Sequence, residues 1–119
     1  LVLLHEPEIN SAKIDFFVGE HRWIDVTDIP PLLFDHEHII EKAVQNIQDN
    51  LDHLLIAQPL FKEEFTMGEL QRFYESVLNK SLTRTNFQRR MLNLGILERL
   101  GKKYNGKAHK APFLYKVKR

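Results

Sequence analysis

Residues 66–95 constrain the fold of this chain more than any other stretch, because two short amphipathic segments stand there on either side of a tight break. Thr66-Met67-Gly68-Glu69 reads as a capping box. The threonine oxygen serves the amide of Glu69, and the glutamate carboxylate reaches back to the threonine amide. The helix that it opens buries Leu70, Phe73, Tyr74, Val77 and Leu78, and Asn79-Lys80 is suited to ending it. After residues 80–83, a further helix over 84–94 sets Phe87, Met91 and Leu94 on one side, with Gly95 just past its end. Two short helices across a tight break form the helix-turn-helix pattern.

The flanks extend that pattern into a domain. Downstream, 96–104 and 112–117 are β-compatible runs separated by the basic loop 105–111, a wing. Upstream, Asp35 opens a helix over 35–57 whose inward face carries Ile39, Ile40, Ala43, Val44, Ile47, Leu51, Leu54 and Leu55, ending before Pro59. Three helices followed by a β-hairpin is an α+β arrangement, the winged helix-turn-helix. Before it, Ile14, Phe16, Val18, Trp23, Ile24 and Val26 approximate a period of two around Gly19-Glu20, which predicts two strands over 13–26. Pro30 and Pro31 mark a connection after them. The expected division is therefore a short β segment with its linker over 1–31 and a winged helix over 32–119. A chain of 119 residues buries one compact core, and its start at Leu1 rather than Met is expected of a fragment of a longer protein.

Charge points to a partner. Residues 1–79 hold five basic and fifteen acidic side chains, whereas 80–119 hold twelve basic ones against Glu98 alone. A segment at +11 repels itself without an anion nearby, and nucleic acid is the commonest polyanion available. Leu82, Phe87, Met91, Leu94, Ile96, Leu97, Phe113, Leu114 and Tyr115 are interleaved with that charge, so the segment folds rather than trailing as a basic tail. The absence of cysteine excludes disulfides, thiolate zinc sites and cysteine nucleophiles. The longest apolar runs, 1–4 and 29–34, fall far short of the roughly 20 residues of a membrane span. A cytoplasmic protein without a membrane partner is expected.

The outward face of the helix over 84–94 presents Arg84, Thr85, Gln88, Arg89 and Asn93, types that hydrogen-bond base edges and phosphates. Asn86 reads a base or serves local capping; Arg90 reaches a phosphate or covers the second helix with its stem. In the wing, Lys102, Lys103, Lys107 and Lys110 contact phosphate or keep a short hairpin soluble, and His109 joins them only when protonated. His36 and His38 beside Glu37 and Glu41 invite a metal reading, but residues two apart at a helix start point to different faces, so no metal or cofactor is expected. Ser11, Ser76 and Ser81 sit in no nucleophile elbow, and catalysis is not expected.

These residues also resemble a family. The segment from Trp23-Ile24-Asp25-Val26 through Ile29-Pro30-Pro31-Leu32-Leu33-Phe34-Asp35-His36 is similar to the Nudix-related transcriptional regulators. So are Phe65-Thr66-Met67-Gly68-Glu69-Leu70-Gln71, Tyr74-Glu75, Asn86-Phe87, Arg89-Arg90-Met91-Leu92, Leu94-Gly95-Ile96-Leu97 and Leu114-Tyr115, in that order. The resemblance covers about residues 22–117. It implies a Nudix-like sensor domain ahead of the winged helix, acting as a dimeric repressor whose DNA affinity falls when an ADP-ribose-type nucleotide or a sugar binds the sensor. It also places His36 at the junction of the two domains. The chain departs from the family in lacking a Nudix box, which Glu63-Glu64 alone does not supply, so the sensor pocket is expected upstream of Leu1. Lys110-Ala111-Pro112 stands where the family often has Arg-Pro.

The expected function is sequence-specific binding of double-stranded DNA by a homodimeric repressor, with a metabolite effector acting through the upstream domain. The alternatives are a winged helix that binds an acidic protein, or an accessory domain of an active Nudix hydrolase.

Overall fold

The computed structural model describes residues 23–32, 34–102 and 111–119. The chain divides into two compact units, 1–46 and 47–119.

In the first unit the expected strand does not extend over the described residues. Trp23 to Asp25 carry no regular structure, and Val26–Asp28 form a single 3-10 turn. The cause is local: the Asp25 carboxylate accepts from the Thr27 amide at 2.9 Å and its hydroxyl at 2.7 Å, offering the backbone a turn in place of a ladder. The remainder of the predicted β segment, residues 13–22, lies outside the described residues. The Leu32 amide donates to the Glu37 carboxylate at 2.8 Å, fastening the approach to the first helix.

The predicted helix over 35–57 is two helices, α1 (His36–Asp49) and α2 (Leu51–Ala57), interrupted at Asn50 with φ −114° and ψ 19°. Asparagine is a weak helix former at which such a break costs little. The apolar stripe also changes character there. Ile39 is exposed and α1 holds no fully buried residue, whereas Leu51 and Leu55 of α2 are core.

The second unit is built on the capping box. Thr66 Oγ1 accepts from the Glu69 amide at 3.2 Å, and Glu69 accepts from the Thr66 amide at 3.1 Å, opening α3 (Met67–Leu78). Asn79 ends it in the left-handed region at φ 54°. Two α3 side chains then fix the turn: Gln71 donates to the Leu82 carbonyl at 2.9 Å, and Glu75 accepts from the Leu82 amide at 2.9 Å. α4 (Arg84–Asn93) follows, and Gly95, at φ 68°, takes the conformation that lets the chain leave it.

A sheet closes the unit. β1 (Phe65–Thr66), β2 (Leu97–Lys102) and β3 (Phe113–Val117) lie in the order β1-β3-β2, both pairs antiparallel. The wing strands were expected; β1 was not. Leu51, Leu55, Phe65, Leu70, Tyr74, Phe87, Met91, Leu97 and Tyr115 form one core drawn from every element of the unit. An aromatic row runs through it, with ring centroids 4.9 Å apart for Phe61 and Phe73 and 5.2 Å for Tyr74 and Phe87. Arg119 donates to the carbonyls of Leu55, Ile56 and Gln58, capping the end of α2 with a cation where the helix dipole favours one.

Candidate nucleic-acid interface

α4 is held from beneath by Phe87 and Met91, both buried, and this anchoring fixes which of its residues face outward. Arg84, Thr85, Asn86 and Arg89 are exposed and Gln88 is half-buried. Arg84, Thr85, Gln88 and Arg89 line one shallow outer surface with Leu92 and Asn93. The helix contains no acidic residue.

Within that face, Arg89 Nη2 donates to Asn86 Oδ1 at 2.7 Å. Asn86 therefore does not cap; Thr83 holds the cap position, without a side-chain bond. The asparagine instead braces an arginine and keeps its amide NH2 as a donor. Arg90 points the other way. Its guanidinium pairs with Asp52 and reaches the Met91 sulfur at 3.5 Å, so it ties α4 to α2 rather than joining the outer face.

Asp52 was not singled out from the sequence. Its second oxygen accepts from the Tyr74 hydroxyl at 2.7 Å, so one carboxylate serves α3 and α4 together. Burial, then the hydrogen bond to Asp52, push the Tyr74 phenol above the ordinary tyrosine range.

A groove runs beside the outer face. It is lined by Arg84 and Gln88 of α4, Gln71 and Arg72 of α3, and Pro112 and Phe113 at the start of β3. Lys102 is exposed at the end of β2. Lys103, Lys107, His109 and Lys110 lie outside the described residues. Arg99, also absent from the sequence-based candidates, lies with its guanidinium carbon 4.6 Å from the Phe113 ring centroid. Among the described residues, no group of three or more His, Cys, Asp or Glu gathers to hold a metal ion, and no helix is long and apolar enough to cross a membrane.

Residues 58–117 match the family described as the NrtR DNA-binding winged helix domain. A curated relative, the ADPR responsive transcriptional repressor NtrR of Acinetobacter baylyi, is 31% identical over 67 residues, which is 56% of this chain and 27% of the relative. The crystal structure of Shewanella oneidensis NrtR complexed with a 27mer DNA superposes with a TM-score of 0.58 at 30% identity, covering 79% of this chain and 42% of that one. A further crystal structure of Shewanella oneidensis NrtR gives a TM-score of 0.61 at 29% identity, covering 85% of this chain and 46% of that one. The chain thus spans about a quarter of the curated relative's length and less than half of either solved chain.

Proposed function

This chain belongs to the NrtR winged-helix family, and from that premise we propose that it is the DNA-binding part of a transcriptional repressor. α4 enters the major groove, and Arg84, Thr85, Asn86, Gln88 and Arg89 meet base edges and phosphates there. Lys102, Lys103, Lys107 and Lys110 of the wing grip the backbone. The observation that carries this reading is the outer face of α4: Arg84 and Arg89 beside Thr85 and Gln88, on a helix without an acid, anchored by buried Phe87 and Met91. A solvated face with no partner has no need of such one-sided charge.

The reading extends to regulation. The relative described as ADPR responsive supports a nucleotide effector of the ADP-ribose type, acting through an upstream sensor domain of which residues 1–31 are the end. Residues 32–119 are then the DNA-binding part, and two protomers read a pseudo-palindromic operator. The repressor description of that relative also favours a non-catalytic role.

The direct test is charge reversal. Arg89→Glu removes the cation braced by Asn86 and places an anion against DNA, so binding to promoter duplex falls by more than tenfold. Unaltered duplex binding by Arg89→Glu overturns groove reading and favours an acidic protein partner.

A further inference from the structure

The outer end of the sheet carries a cluster that the α4 face does not use. The Arg99 guanidinium carbon lies 4.6 Å from the Phe113 ring centroid, and the Lys102 ammonium lies 5.4 Å from the same centroid. Phe113 is 37% exposed, a ring kept at the surface rather than in the core.

The backbone brings this about. Arg99 and Lys102 are an odd number of residues apart, and a regular strand would set them on opposite faces. The ladder is irregular between them: Arg99 stands opposite Tyr115 and Lys102 opposite Phe113. Tyr115 and Phe113 are two apart on β3 and share a face, so the bulge turns both cations to that face. Glu98, the single acid of residues 80–119, is occupied by Lys116 at 3.7 Å. Among the described residues, no carboxylate pairs with Arg99 or Lys102.

Two cations drawn to one ring repel each other, and a shared anion relieves that repulsion. Phe113 also lines the groove that Arg84 and Gln88 border, so the cluster opens beside the α4 face. We propose that Arg99 and Lys102 form a phosphodiester-binding clamp at the root of the wing, and that Phe113 is the residue that positions it. The clamp rests on the reading of the chain as a DNA-binding protein, and adds Arg99 and an aromatic platform to it.

The test uses fluorescence anisotropy of the chain with a labelled duplex from its own gene's promoter and a scrambled duplex, over a salt series. Arg99→Gln weakens both duplexes by about tenfold and flattens the dependence of log affinity on log salt by about one. Phe113→Leu keeps the apolar bulk but loses the ring quadrupole, and weakens both duplexes about two- to fivefold. Phe113→Tyr retains the ring and restores binding. Thermal melts of all three match the unmodified chain, since none of these side chains belongs to the core. Wild-type affinity and salt slope in Arg99→Gln, or equal losses in Phe113→Leu and Phe113→Tyr, overturn the clamp while leaving duplex binding by the chain intact. If the unmodified chain binds neither duplex, the DNA-binding reading fails and the clamp falls with it.

Discussion

The Tyr74 hydroxyl of α3 donates to Asp52 of α2 at 2.7 Å, and this bond sets the position of Arg90 on α4, because the other Asp52 oxygen holds that guanidinium. Three helices meet at one carboxylate. The side chains of Arg90 and Asp52 retain 53% and 25% of their exposure, so solvent screens the ion pair and it adds at most about 1 kcal/mol. The hydroxyl bond, with a buried donor, contributes about 1 kcal/mol.

Alkaline pH tests this junction. In the unfolded chain the Tyr74 phenol ionises near the ordinary value of 10.0, and in the folded chain it ionises higher. Its contribution is therefore complete below that pH and is lost as pH rises beyond it, because the unfolded state releases the proton first. Urea unfolding across alkaline pH is expected to show a steeper loss of stability in the unmodified chain than in Tyr74→Phe. Parallel curves would mean that the Tyr74–Asp52 bond contributes nothing to stability. At neutral pH, Tyr74→Phe costs about 1 kcal/mol.

Leu55 lies upstream of the matched family segment, yet it is 0% exposed in the core of the second unit. Leu55→Ala is expected to cost roughly 2–5 kcal/mol in urea unfolding at unchanged m-value. Ile39→Ala, at an exposed α1 position, is expected to change stability by less than about 0.5 kcal/mol. Equal effects would mean that α2 is not part of the winged-helix core.

The capping box is worth testing because Thr66 belongs both to β1 and to the start of α3. Thr66→Ala removes the acceptor for the Glu69 amide and costs about 1 kcal/mol. Glu69→Gln keeps the reciprocal bond but loses the ion pair with Lys62 at 2.7 Å, and its cost is smaller. Calorimetric melting temperatures in the order unmodified, Glu69→Gln, Thr66→Ala are expected; the reverse order of the two variants contradicts the box.

Sequence reading and backbone contact separate in solution. Gln88→Ala removes the base-edge contact proposed for this residue and is expected to cost about 1–3 kcal/mol of preference for promoter over scrambled duplex, with the salt slope unchanged. Lys102→Ala is expected to weaken both duplexes alike and to lower the slope by about one. Anisotropy titrations with both duplexes measure the two effects, and uniform weakening by Gln88→Ala would assign that residue to the backbone.

Features carried by neighbouring residues were legible in the sequence. The capping box, the Asn79 stop, the span of α4 and the Gly95 exit each rest on side chains within a few positions of the backbone that they serve. Features made by distant residues were not. Arg90 and Asp52 are 38 positions apart, Arg119 and Leu55 64 apart, and no periodicity announces either pairing. β1 is two residues long, too short for alternation to appear, and exists because β3 offers it a ladder. The strand expected at Trp23 to Val26 fails for the opposite reason: a nearby side chain, Asp25, competes with the ladder that the apolar alternation suggests. Arg99 was not legible either, because the bulge that turns it toward Phe113 alongside Lys102 is a property of strand register.

Whether the proposed α4 surface reads DNA sequence is decided by anisotropy of the chain with promoter duplex and scrambled duplex as salt is raised to physiological strength. A preference for the promoter that persists there, while both affinities fall with salt, is the predicted result. Equal affinities that fall together would leave only a basic surface and contradict it.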